Sequence, residues 1–154
     1  SGRPFLGTCG GFQHALIEFA RNVLGINEAD HAETNPNADA LVVTRLTCSL
    51  IEQTGELRLL PGSELHRIYG STATHEGYHC NYGPAVSFRE RFEAAGLWFT
   101  AFDPNGEPRA AELASSAHPF FIGTLFQPER AALRGETPPV VRAFVQAVAR
   151  FASP

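Results

Sequence analysis

Pro4-Phe5-Leu6-Gly7-Thr8-Cys9-Gly10-Gly11-Phe12-Gln13 is the stretch on which the reading of the fold turns. A short apolar run enters a Gly-x-Cys-x-Gly turn, and an amphipathic segment leaves it. Phe12, Ala15, Leu16, Phe19, Ala20, Val23 and Leu24 recur at helical spacing, and Gly25 stands where a C-terminal cap is expected. Strand, glycine turn and helix make the geometry of a nucleophile elbow, here carrying a thiol in place of a hydroxyl. Gly7, Gly10 and Gly11 suit so strained a turn, because a neighbouring Cβ would crowd both the backbone and a substrate. A sulfur placed at a helix N-terminus is stabilised as thiolate, its reactive form. Taken alone, the motif equally describes a buried cysteine in a glycine-rich turn.

Outward from the elbow, the chain reads as one α/β domain over residues 1–154 without repeats, low-complexity blocks or linkers. With 44% hydrophobic residues it can bury a sizeable core. Asn27 to Ala38 reads as a polar surface loop, and Ala40 to Thr44 as a strand. Leu46 to Leu60 reads as further strands around a Thr54-Gly55 turn, and Gly62 to Gly83 as a loop-rich region with histidines and aromatic residues. Ser87 to Ala95 fits a short helix ended by Gly96, and Leu97 to Phe102 a strand. Asp103-Pro104-Asn105-Gly106 is a turn before Pro108 to Leu113, Phe120 to Phe126 an apolar strand, and Val140 to Phe151 a terminal helix.

The net charge of −4 and the lack of any basic run argue against nucleic-acid or anionic-membrane binding. No apolar stretch is long enough to cross a bilayer, and no signal-peptide pattern is present, so a cytoplasmic domain is expected. Cys9, Cys48 and Cys80 are too few and too scattered for a disulfide scaffold or a zinc site, so no metal is expected.

Pro4 to Gly25, including Ile17-Glu18-Phe19-Ala20-Arg21-Asn22-Val23, resembles the elbow and following helix of the glutaminase domain of CTP synthase, a class I glutamine amidotransferase. His118-Pro119-Phe120-Phe121-Ile122-Gly123-Thr124-Leu125-Phe126-Gln127-Pro128-Glu129 resembles that family's closing His-Pro-[Phe/Trp]-Phe-x-x-x-Gln-Phe-His-Pro-Glu segment. The resemblance covers nearly the whole chain, most weakly between Asn35 and Gly70. It implies a flavodoxin-like open sheet with a nucleophile elbow. It also implies that the chain is the C-terminal portion of a larger protein, since such a sheet normally places strands before its catalytic turn. It further implies L-glutamine or a related small molecule as ligand and, as partner, a synthetase domain or subunit. ATP and magnesium would enter only through that partner, with no cofactor in this chain; a homo-oligomer is compatible with the family.

By the same resemblance Cys9 is the nucleophile, Glu129 the carboxylate that orients a histidine, and Gln13, Glu33 and Tyr82 substrate contacts. Two positions depart from the family. Gln127 stands where the histidine belongs, and a carboxamide has no proton equilibrium near neutral pH with which to act as general base. Asn81 replaces the arginine that clamps the substrate carboxylate. These departures point to a paralogue related to the CTP synthase C-terminal region, with weak glutaminase activity. A degenerate relative that binds a metabolite or regulates a partner, and a cysteine-dependent enzyme of another class, remain open. Of the histidines considered as a substitute base, His14, His75, His79 and His118, His79 is the best placed in sequence, on the loop leading to Tyr82.

Overall fold

The computed structural model describes residues 2–153. Strand β1 (Phe5–Thr8) passes directly into helix α1 (Gly10–Asn22), with Cys9 alone between them. β1 runs parallel to β9 (Phe121–Thr124), in register from Phe5 against Phe121 to Thr8 against Thr124. The two sequence motifs at opposite ends of the chain are thus neighbouring strands. From β9 the sheet continues through β8 (Pro108–Leu113), β7 (Leu97–Phe102), β4 (Gln53–Leu59) and β5 (Ala73–Tyr78), giving six strands in the order β1-β9-β8-β7-β4-β5. The pairings beyond β1–β9 are antiparallel, so the sheet of this α/β fold is mixed. A second sheet holds three strands in the order β2 (Ala29–His31), β3 (Ala40–Arg45), β6 (Tyr82–Pro84). Helices α2 (Glu64–Tyr69), α3 (Arg89–Ala94) and α4 (Pro139–Ala152) complete the domain.

Helix α1 buries Phe12, Leu16, Ile17, Phe19 and Ala20, four of them at the positions its periodicity marks. Val23, expected on that face, is 55% exposed, because the helix stops at Asn22. Gly25 then turns the chain at φ 69, and the Ile26 amide closes onto the Ala20 carbonyl. The approach of α1 to the sheet depends on glycine. A Cβ at Gly123 would stand 2.2 Å from the Phe12 ring, and one at Gly7 would stand 2.9 Å from the Gly11 carbonyl. At Gly10 and Gly11 a Cβ would meet nothing within 4 Å, so crowding explains only the first glycine of the elbow.

Three sequence expectations are corrected. The segment read as a loop from Asn27 to Ala38 contains β2, because buried His31 finds hydrogen-bond partners from other elements. Thr54 and Gly55 lie inside β4, paired with Gly77 and Glu76; the reversal comes earlier, at Glu52, whose φ is 54. The region from Gly62 to Gly83 holds α2, β5 and β6 in place of loops. Helix α2 owes its start partly to another strand. Glu112 of β8 accepts from the amides of Glu64 at 2.6 Å and Leu65 at 3.2 Å, a cap that no local sequence signal announces. The strand Leu97–Phe102, the Asp103 turn with its side chain accepting from the Asn105 and Glu107 amides, and the terminal helix form where expected. Among the described residues, no helix is long and apolar enough to cross a membrane.

Gly123→Ala should lower the unfolding free energy by about 1–3 kcal/mol through overpacking against Phe12. A Phe12→Leu change in the same chain should return part of the loss, read as midpoints of urea unfolding.

Candidate active site

Cys9 adopts φ 48 and ψ −110, a conformation that costs a residue with a Cβ about 1–3 kcal/mol. Its neighbours enforce it. The Cys9 amide donates to the Thr124 carbonyl at 2.8 Å, and the Cys9 carbonyl accepts from the Gln13 amide at 3.1 Å. The elbow is therefore pinned to β9 on one side and to the first turn of α1 on the other. No side chain caps that turn. The thiol titrates well below an ordinary cysteine, at about 7. The largest cause is the adjacent Cys80 thiol; burial opposes it, the Gly10 amide helps, the Glu129 charge opposes, and His79 helps.

Cys9, Gln13, Glu33, Asn81 and Tyr82, the residues that the family resemblance singles out, all line one cleft of about 210 Å³, with Gly10 in its wall. Ile51, His79 and Cys80 complete it. A larger cleft of about 380 Å³ between α2 and α4 contains no cysteine or histidine. Among the described residues, no group of three or more histidine, cysteine or acidic side chains could hold a metal ion.

Neither Glu129 nor Gln127 lines the cleft. Glu129 accepts from the Thr8 hydroxyl at 3.1 Å, one residue before the nucleophile. Gln127 precedes Pro128 with φ −112 and ψ 85, and its amide donates to the Gly77 carbonyl at 2.8 Å. Its side-chain Oε1 is buried without a hydrogen-bond partner. Among the described residues, no hydrogen bond joins the Gln127 side chain to Cys9 or to Glu129. Cys9 and Glu129 are thus brought to one end of the sheet, with no proton-transferring group linking them.

His31 was not marked by any sequence motif, yet it organises the ligand side of the cleft. Its Nδ1 accepts from the Glu33 amide at 3.0 Å, so the proton of the neutral ring belongs on Nε2, which donates to Gln13 Oε1 at 3.0 Å. Gln13 Nε2 in turn donates to the Tyr82 carbonyl at 2.8 Å, and the Tyr82 ring packs 5.1 Å from the imidazole. One chain of hydrogen bonds therefore fixes Gln13, the Glu33 backbone and Tyr82. The sequence signal for it was the placement of a histidine two residues before Glu33, in a segment too polar to look buried.

His79 is the one histidine on the cleft wall among the described residues. Its Nδ1 lies 2.7 Å from Glu52 Oε1, and Glu52 is also bound by Arg130. His14 and His75 are exposed away from the cleft, and the His118 ring accepts from the Phe120 amide.

No family model matches the chain. The CTP synthase of Phenylobacterium zucineum is 36% identical over 162 residues, covering 94% of this chain and 29% of that protein. The CTP synthase of Rubrobacter xylanophilus is 37% identical over 156 residues, with 96% and 28% covered. That of Archaeoglobus fulgidus is 36% identical over 161 residues, with 98% and 30% covered. The chain therefore spans less than a third of the length of these relatives. Among solved structures, the glutaminase domain of Trypanosoma brucei CTP synthase with bound acivicin has a TM-score of 0.88 and 25% identity, covering 97% of this chain and 61% of that one. A putative GMP synthase component from Thermoplasma acidophilum shares the fold, with a TM-score of 0.63 at 13% identity.

Alkylation of Cys9 should rise through a midpoint near pH 7 and then level off, well ahead of Cys80, whose thiol is pushed up by the Cys9 contact and by burial. Cys80→Ala should move the midpoint upward. A wild-type midpoint near 9, the ordinary value for the thiol, would show that the elbow does not activate it.

His31 should be felt as a pH dependence of stability. Burial holds its pKa below the ordinary 6.5, so the unfolded chain binds the proton more readily. Stability should be complete above about pH 6.5 and fall as the pH drops toward the depressed value, while His31→Gln should flatten that slope in urea titrations. An unchanged slope would show that His31 is not the group responsible.

Proposed function

We propose that this chain, by sequence relationship and fold a CTP synthase-type glutamine amidotransferase domain, receives L-glutamine in the Cys9 cleft and releases ammonia from it slowly. The observation that carries this reading is the convergence of Cys9, Gln13, Glu33, Asn81 and Tyr82 on one cleft at a strained strand-to-helix joint. The Cys9 thiolate attacks the side-chain amide carbon, ammonia leaves, and water then hydrolyses the thioester to glutamate. Glu33 offers a carboxylate to the substrate ammonium, held in place through its own amide on His31.

Two substitutions limit the rate. The departing nitrogen needs a proton, and Gln127 has none to exchange. Asn81 offers the substrate carboxylate a neutral amide, without the charge-assisted bonds worth about 1.5–3 kcal/mol each. The partner that would use the ammonia is a synthetase domain or subunit binding ATP and magnesium. A second reading is favoured by the same two residues: a domain that binds a glutamine-like metabolite and regulates a partner without turning it over.

Ammonia release from glutamine by the full-length protein, with Cys9→Ala as blank, tests the proposal. Turnover should lie on the order of 10^4-fold below relatives that keep the histidine. Gln127→His should raise it, since Glu129 stands ready beside Thr8, and adding Asn81→Arg should raise it further. Fast wild-type release abolished by His79→Ala would move the base to the Glu52–His79 pair. Failure of both glutamine and acivicin to protect Cys9 from alkylation would overturn glutamine-type binding altogether.

A further inference from the structure

Cys80 has no part in the chemistry proposed above, yet it stands next to the nucleophile. Three hydrogen bonds place it there. The Cys9 amide is held by the Thr124 carbonyl at 2.8 Å, and the Cys80 thiol reaches the next carbonyl, Leu125, at 3.9 Å. The Cys9 thiol reaches the carbonyl of His79, the residue joined to Cys80, at 3.8 Å. Consecutive carbonyls at the end of β9 therefore hold the Cys9 backbone and the Cys80 thiol, and both cysteines line the same cleft. Cys48 is exposed and lies outside that wall.

We propose that Cys9 and Cys80 form a redox-active dithiol, in which a hydroperoxide oxidises Cys9 and Cys80 resolves it to an intramolecular disulfide. The chemistry needs no glutamine site and no histidine base, so it stands apart from the amidotransferase reading. In the first step the Cys9 thiolate attacks the peroxide O–O bond. The sulfur takes one oxygen as sulfenic acid, and the other leaves as an alcohol or water after taking up a proton. In the second step the Cys80 sulfur attacks the Cys9 sulfur, the S–OH bond breaks, and the hydroxide leaves with the Cys80 proton as water. Each peroxide is thereby reduced by the electrons of two thiols, and a small-molecule thiol restores the pair.

The two sulfurs are unequal in the way these roles require. Cys9 is half-buried on the cleft and is the better thiolate, so the oxidant meets it first. Cys80 is 7% exposed and protected from direct attack. Its thiol is kept protonated chiefly by the neighbouring Cys9 sulfur and by burial. Conversion of Cys9 to neutral sulfenic acid removes the charge that opposes ionisation of Cys80, so resolution follows oxidation. The bland alternative, a small apolar side chain filling space behind the elbow, predicts no such sequence of events.

The test uses the Cys48→Ser protein, which retains two thiols, treated with hydrogen peroxide in the absence of glutamine. Arginines at 21, 67 and 89 place Cys9 and Cys80 in different tryptic peptides, so a link between them is read directly by mass. The expected result is a fall from two titratable thiols to none, a cross-linked peptide pair lighter by two hydrogens, and reversal by dithiothreitol. In Cys80→Ser the sulfenic acid of Cys9 should persist long enough for trapping by dimedone and proceed to sulfinic acid. Oxidation of Cys9 to sulfinic acid with Cys80 still free in the Cys48→Ser protein, or no reaction of either thiol at peroxide that oxidises glutathione, would overturn the proposal. The peptide map decides it even if Cys80→Ser does not fold.

Discussion

The structure depends on one backbone constraint, the positive φ of Cys9 between β1 and α1. A residue with a Cβ resists that conformation, so the surroundings must supply the energy that holds it. They do so from the far end of the chain. The parallel pairing of β1 with β9 ends on the bond between the Cys9 amide and the Thr124 carbonyl. The glycine at 123 lets Phe12 settle onto the strand, and α1 is thereby pressed against the sheet. Loosening any of these contacts would release the elbow, because none of them is local to it.

The ligand side of the cleft is organised on a different principle. Gln13 comes from α1, Glu33 follows β2, and Tyr82 opens β6. A buried neutral imidazole joins them, and its two nitrogens take opposite roles. Direction matters here. Each group in the chain donates to the next, ending on the Tyr82 carbonyl, so the network is satisfied only with His31 uncharged. The carboxamide of Gln13 is oriented by this arrangement, with one bond at its nitrogen and one at its oxygen.

Electrostatically the cleft is anionic around its sulfur. Glu33 lies in its wall and Glu129 bears on the thiolate, while Arg130 is engaged by Glu52. A thiolate in such surroundings draws its stabilisation from the Gly10 amide, the His79 side chain and above all the Cys80 thiol. The two largest of these contributions, the Cys80 thiol and the Gly10 amide, come from neutral groups.

By itself the sequence determined the elbow, its helix and the strand before Gln127. Each is encoded by residues close together in the chain: Gly7 to Gly11 for the turn, the Phe12 to Ala20 periodicity for the helix, and the apolar run before Gln127 for β9. The resemblance singled out Glu33, Asn81 and Tyr82, which line one cleft with Cys9. What only the tertiary structure decided are the partnerships between distant groups. Polar His31 is buried because Gln13 and Glu33 satisfy it, and Glu112 of another strand takes up two amides at the start of α2 that Ser63 leaves open. Gln127 keeps a buried side-chain oxygen without a partner, and Cys80 stands beside Cys9 because consecutive carbonyls at the end of β9 hold the Cys80 thiol and the Cys9 amide. Local pattern records backbone preference and hydrophobic period; a hydrogen bond between residues far apart in sequence leaves no such trace until the chain has folded.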